Sequence, residues 1–320
     1  MRSRRYGVFT APTRAPRTVG PMRILHLTDT HLYGDPAARH YGRIDSHAAL
    51  RGVLDRLADL DRIDLIVHAG DASEDGTAES YERLHALLDP FAEQLDAQLA
   101  VVMGNHDVST VYAEAIAPGE RVPGRQDRVL DVPGGGRVVV LDSSVPGHGY
   151  GDLDAEQLDW LRGVLADPAP VGPDGDAPGT VLVVHHPPVP AATAMLRSLE
   201  LGAPEALAAV IDGSDVRVIL SGHYHHEMHG ELAGVPVHVA PGVTNVVDPL
   251  TAGEHERALA LSGASILEIA EDAEDADGGA SVRAWTSIWP NAGDDLHDAA
   301  APVYDFGPDE IAAIIRSAGR

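Results

Sequence analysis

From Arg23 onward, short runs of aliphatic and β-branched residues alternate with longer segments whose apolar positions recur every three or four residues. The runs predict strands over Arg23–Thr28, Leu65–His68, Leu99–Met103, Val138–Leu141, Thr180–His185 and Val216–Leu220. The periodic segments predict helices near Ser46–Leu60, Thr77–Leu95, Ala155–Leu165 and Pro204–Ile211. In the third of these, Asp154 stands as the N-cap, and Trp160 and Leu161 fall on the core side. This rhythm is that of an α/β domain. Beyond Gly222 it changes to β-hairpins, Glu227–Leu232 with Val235–Val239 and Ala264–Ala270 with Ser281–Trp289. The second is joined by a solvated acidic turn. Pro168–Gly179 is a surface loop rich in proline and glycine. Residues 291–320 carry one short helical pattern, Asp309–Ser317, and are expected to be peripheral.

The predicted strands end alike. The first runs into Thr28-Asp29-Thr30-His31, the second into His68-Ala69-Gly70-Asp71, and the third into Gly104-Asn105-His106-Asp107. Later strands run into His185-His186-Pro187 and Gly222-His223-Tyr224-His225. Ligands of α/β sheets collect outside the carboxyl ends of the strands, so these five loops can converge. In an extended chain, residues two apart share a face, which lets His223 and His225 address one site. A zinc-protease helix would need His-Glu-x-x-His, and His226-Glu227-Met228-His229 is one residue short of it. His226 and His229 are therefore expected as solvated or supporting residues, His68 as a core residue, and His186 on the face opposite His185.

Composition narrows the chemistry. The 320 residues include no cysteine, which excludes disulfides and thiolate metal sites and leaves imidazole, carboxylate and amide as ligands. The formal net charge is −26, and every basic side chain is arginine. Such a surface disfavours long nucleic acid, whose binding depends on phosphate neutralisation. It does not exclude a small phosphate-bearing substrate at a local cationic centre. Residues 1–21 are basic and loop-like and are expected to form a disordered tail. Arg4 and Arg5 suggest an export signal, but prolines and arginines interrupt the apolar segment it would need. No run approaches the roughly 20 apolar residues of a membrane helix, and the expected location is the cytoplasm.

Taken in order, Asp29, His31, Asp71, Asn105, His106, His185, His223 and His225 match the pattern D-x-H, G-D, G-N-H-D/E, H, G-H-x-H. The chain thereby resembles the calcineurin-like metallophosphoesterases over about Arg23 to Trp289. "DTHLYGD", "MGNHD", "LDSSVPGHGYGDLDAEQLDWL" and "HHPPVP" narrow the resemblance to class III cyclic nucleotide phosphodiesterases, the actinobacterial members in particular. Purple acid phosphatases carry a tyrosine where this chain has Asp75, which disfavours that subgroup.

The resemblance implies a four-layer α/β/β/α sandwich of two mixed β-sheets, with a catalytic domain over 22–290. It implies two metal ions, manganese, iron or zinc, bridged by Asp71. One would be held by Asp29, His31 and His225, the other by Asn105, His185 and His223. A hydroxide formed from bound water would attack phosphorus in line. His106 would protonate the leaving group or stabilise phosphoryl charge, and Asp107 would orient it. Asn105, His106 and His148 are the expected substrate contacts. The implied activity is hydrolysis of cyclic nucleotides (2',3' or 3',5') or another small phosphodiester, without long nucleic acid or membrane as partner and with a homodimer as one quaternary option. A phosphomonoesterase or glycerophosphodiesterase shares these residues. A non-catalytic scaffold of the same fold would lack the ligand set that is intact here.

Overall fold

Strand alternation builds two distinct cores out of each central strand. The computed structural model of the chain describes residues 20–116, 125–173, 175, 178–251, 254–271, 280–292 and 302–317. A five-stranded sheet runs in the order β13 (Ala280–Pro290), β12 (Leu261–Glu271), β1 (Met22–Leu27), β2 (Leu65–His68), β3 (Gln98–Val101). A six-stranded sheet runs β4 (Arg128–Asp131), β5 (Arg137–Leu141), β6 (Thr180–Val184), β7 (Val216–Ser221), β9 (Val235–Val239), β8 (Met228–Leu232). Within them β1–β3 are mutually parallel, as are β5–β7 and β9, while the hairpin partners and β4 run antiparallel. Both sheets are therefore mixed.

Ile24, Leu65, Val67, Val138, Val140, Val181, Val183, Val218 and Leu220 fill the layer between the sheets. Their strand neighbours Leu25, Ile66 and Val101 point outward to helices α1 (Ser46–Arg56), α2 (Ala78–Leu95) and α3 (Ser109–Ile116). On the other side, Val139, Leu182 and Ile219 meet α4 (Ala155–Leu165), α5 (Ala194–Arg197) and α6 (Pro204–Ile211). The result is the four-layer sandwich. With both faces buried, these strands read as continuous apolar runs rather than as alternation.

Caps fix the helix starts: Asp45 accepts from the Ala48 amide, Thr77 from Ser80, and Asp154 forms a reciprocal capping box with Gln157. Helix α1 ends at Arg56 rather than Leu60, where the Leu57 amide reaches both Val53 O and Leu54 O and tightens the last turn. The segment expected at the periphery adds more than one helix. Its strand β14 (Pro302–Phe306) completes a small sheet with β10 (Val246–Val247) and β11 (Glu256–Leu259). Its helix α7 (Pro308–Ser317) buries Ile311 in the outer core of the second sheet. The tail expected over 1–21 lies, through residue 19, outside the described residues. Among the described residues no helix is long and apolar enough to cross a membrane.

The inter-sheet layer is the part of this packing that holds both halves of the molecule in register. Leu220→Ala, at a fully buried position in it, should lower the free energy of urea unfolding by about 2–5 kcal/mol. A loss below about 1 kcal/mol would mean that this layer is loosely packed.

Candidate metal centre

The carboxyl ends of the parallel strands of both sheets meet at one edge, and the loops that follow are stitched together by backbone bonds. Asp29 N donates to Gly70 O and His31 N to Asp71 O, each at 3.0 Å, while Gly222 N donates to His185 O at 3.0 Å. Two motif glycines permit the approach. A Cβ on Gly104 would lie 2.2 Å from Asp71 Oδ1, and one on Gly222 would lie 1.9 Å from Thr28 Oγ1. Asp29, His31, Asp71, His223 and His225 all hold left-handed backbone conformations, with φ between 42° and 69°. Such geometry in side chains other than glycine concentrates at functional sites.

Each carboxylate is held chiefly through one oxygen and presents the other. Asp29 Oδ2 accepts from Thr28 Oγ1 at 2.8 Å and from the His223 amide at 3.0 Å; that amide also reaches Oδ1 at 3.3 Å, and Oδ1 lies 3.4 Å from His225 Nε2. Asp71 Oδ1 accepts from the His106 amide at 2.9 Å. Its Oδ2 lies 3.7 Å from His31 Nε2 and 3.4 Å from His185 Nε2. Asp71 thus stands between a group of Asp29, His31 and His225 and a second pair, His185 and His223, with His186 beside that pair.

The imidazoles are oriented from behind. His31 Nδ1 donates to Glu74 Oε2 at 2.7 Å, His185 Nδ1 to Ala69 O at 2.7 Å and His225 Nδ1 to Asn245 O at 3.2 Å. His223 is turned the other way, its Nε2 donating to Leu199 O at 2.9 Å. An outward N–H of this kind fixes the tautomer and leaves the inner nitrogen as a lone pair, the arrangement found behind metal-ligating histidines.

These residues fit a pair of transition-metal ions. His31 Nε2 and His225 Nε2 face each other at 3.1 Å, where two lone pairs repel unless a cation lies between them. Asn105 Oδ1 and His185 Nε2 are buried without a hydrogen-bond partner. Asp29 and Asp71 are buried, and no arginine pairs with either among the described residues. Buried carboxylates require a compensating charge. The electrostatics express the same demand: burial disfavours a charged His185, but the Asp71 carboxylate outweighs it and raises the ring to about 9. Nitrogen and oxygen donors of this kind suit first-row transition ions.

Around this centre some expectations change. Asp107 does not orient His106. Its carboxylate accepts the amides of Ala72, Ser73 and Gly104 at 3.1, 2.9 and 2.8 Å, pinning the loop after β2 to the loop after β3. Burial, reinforced by the nearby Asp71 charge, raises Asp107 to about 6. Glu74 takes the orienting place: its Oε2 lies 3.1 Å from His106 Nδ1 while also holding His31. Nothing in "GDASEDG" distinguishes Glu74 from a solvated loop acid, so only the fold reveals it. His40, likewise unforeseen, stacks on His31 at a ring separation of 4.8 Å.

His186 does not face away from the site either. The strand ends at Val184, so alternation lapses, and the ring packs 4.5 Å from His223. Both its nitrogens are engaged, Nδ1 with Ser143 Oγ at 2.8 Å and Nε2 with Gly149 O at 3.3 Å. His148 lies outside the ligand groups, 5.0 Å from the Tyr150 ring in the loop that this Gly149 contact ties to the site. His106 reaches solvent, its side chain 39% exposed. His68 is buried in the core, as expected, against Thr30 Oγ1.

Residues 22–227 match the family model of the calcineurin-like phosphoesterases. A probable cyclic nucleotide phosphodiesterase of Rhodococcus erythropolis is 40% identical over 218 residues, covering 68% of this chain and 69% of that protein. A cAMP/cGMP dual-specificity phosphodiesterase of Mycobacterium tuberculosis is 41% identical over 218 residues, covering 68% of this chain and 66% of that protein. A 3',5'-cyclic adenosine monophosphate phosphodiesterase of Escherichia coli is 31% identical, covering 65% of this chain and 70% of that protein.

Two substitutions separate the acids behind the centre. Asp107→Asn should destabilise the fold by about 1–3 kcal/mol, because an amide leaves part of its buried hydrogen bonding unmet. Glu74→Gln should leave stability nearly unchanged and weaken metal affinity by about 10–100-fold, as loss of an outer partner typically does. Thermal unfolding and metal titration of both variants check this, and the reverse pattern would exchange the two assignments.

Proposed function

The chain belongs to the calcineurin-like phosphoesterases, and on that footing we propose that it hydrolyses cyclic nucleotides, or other small phosphodiesters, at a dinuclear transition-metal site. The observation that carries this reading is the placement of Asp71 Oδ2 between His31 Nε2 and His185 Nε2, together with the names of the curated relatives. In this reading Asp29, His31 and His225 hold one ion, Asn105, His185 and His223 hold the other, and Asp71 is shared. Manganese, iron and zinc all suit these donors. The ions would supply positive charge for the phosphate and activate water near neutral pH.

The remaining work falls to the chain's own residues. Glu74 holds Nδ1 of His106, which leaves Nε2 for the substrate. Burial opposes a charge on His106, and the Glu74 carboxylate at its Nδ1 favours one. In this reading the protonated ring is the proton donor. As the P–O bond to the leaving group breaks, Nε2–H passes its proton to the departing alkoxide oxygen. The backbone amide of His106 meanwhile fixes Asp71, so one residue serves both the shared carboxylate and the leaving group. Asn105 lies beside it and would contact a phosphoryl oxygen. His148, in the loop tied to the second pair through Gly149, would contact the substrate in this reading.

The net charge of −26 supports a small diester over long nucleic acid. The cytoplasm is the location we assign to the protein, residues 22–290 the catalytic unit, and a homodimer a form in which it would act.

His106→Ala should retain both metals and lose on the order of 10²-fold or more in turnover against a cyclic nucleotide, whose ribose alkoxide needs a proton. Against a nitrophenyl diester, whose leaving group needs none, the loss should be distinctly smaller. Equal losses would assign His106 to charge stabilisation, and loss of metal would make it structural. Hydrolysis rates for cyclic nucleotides, glycerophosphodiesters and a nitrophenyl diester, compared on the native enzyme, test the substrate class. A marked preference for glycerophosphodiesters would replace the cyclic-nucleotide reading with that of a glycerophosphodiesterase, and failure to hydrolyse any of the three would overturn the phosphodiesterase reading.

A further inference from the structure

A second constellation of ligand-type side chains lies away from the phosphoesterase centre, where β8 and β9 of the six-stranded sheet meet β13 of the other. His229 on β8 pairs directly across from His238 on β9, so their side chains share a face. The rings meet edge to face at 5.0 Å. Glu227, just before β8, places Oε1 3.2 Å from His229 Nε2 and accepts from Thr286 Oγ1 on β13 at 2.6 Å. One donor atom from each of Glu227, His229 and His238 lies within 4.8 Å of the others.

An ordinary surface ion pair accounts for Glu227 and His229, which are 37% and 60% exposed. It does not account for His238, which is 2% exposed. Its Nδ1 lies 3.0 Å from Nδ1 of the fully buried His26, and its Nε2 is buried with no partner. A polar nitrogen left so costs about 1–3 kcal/mol. Two imidazoles meeting Nδ1 to Nδ1 can share only one proton. If His238 donates, His26 becomes the acceptor behind it, with its own proton on an Nε2 that is likewise buried without a partner, and the His238 lone pair sits on Nε2. That is how a metal-ligating histidine is oriented from behind. The paired rings then have a purpose that a packed apolar layer would not give them.

We infer that Glu227, His229 and His238 form a third metal site, with His26 as the residue that orients His238. Two imidazoles and one carboxylate with open positions suit a borderline divalent ion, zinc above all. No side chain is shared with the phosphoesterase centre. The ion would clip edge strand β8 to β9 and, through the Glu227–Thr286 bond, to β13.

The test uses the full-length untagged chain and zinc as the probe, read by equilibrium dialysis with metal analysis. In Asp71→Asn, which disables the proposed dinuclear centre, one zinc per chain should remain. Adding His229→Ala, a change at an exposed position, should weaken that zinc by more than about 100-fold, beyond what loss of an outer partner alone would cause. X-ray absorption of the remaining zinc should show imidazole ligation. His229→Ala alone should lower total zinc by one equivalent and leave hydrolysis of a nitrophenyl diester unchanged. No residual zinc in Asp71→Asn, or zinc affinity indifferent to His229→Ala, would overturn the site. Retention of two further ions by Asp71→Asn would count against the dinuclear reading instead, since this site is judged on the His229 difference.

Discussion

Two buried carboxylates that pair with no arginine among the described residues set the terms for this molecule. Asp29 and Asp71 each surrender one oxygen to a backbone amide and present the other to imidazole nitrogens. Desolvating a carboxylate without compensation is among the costliest arrangements a fold can contain. It persists here because the same oxygens face lone pairs that can share a cation. Asp71 matters most, since its free oxygen looks toward both groups of histidines.

The rest of the architecture keeps that arrangement in place. Two sheets packed through one apolar layer bring two sets of parallel strand ends to a single edge. Glycine at position 104 lets the third loop close on Asp71, and Asp107 locks that loop to the second through two amides while accepting a third, from Gly104, within its own loop. The histidines are held by carbonyls of Ala69, Leu199 and Asn245, which come from separate parts of the chain. The centre is thus specified by tertiary structure at nearly every outer contact, while its inner donors come from short local motifs.

That division explains what was legible beforehand. The central strands and the longer helices were readable because burial on both faces and well-formed caps leave strong local patterns, as at Thr180–Val184 and Ala155–Leu165. Strand β4, half exposed along an edge, and β10, two residues long, leave almost none. The inner donors Asp29, His31, Asp71, His185, His223 and His225 were legible because each follows a strand end, and the structure gathers them into neighbouring groups. Glu74 was not, because its partners lie 43 residues away at His31 and 32 positions further on at His106, a pairing no local spacing encodes. Asp107 was misread for the same reason: adjacency to His106 in sequence suggested contact, but its carboxylate turns toward backbone amides instead.

The most direct measurement is of the metal centre itself. Manganese loading followed by metal analysis and electron paramagnetic resonance should give two ions at this centre with a spin-coupled spectrum, the signature of a shared carboxylate. Asp71→Asn should lose the coupling and deplete both ions. A wild-type spectrum of isolated, uncoupled manganese, or an Asp71→Asn variant that keeps two coupled ions, would contradict the account.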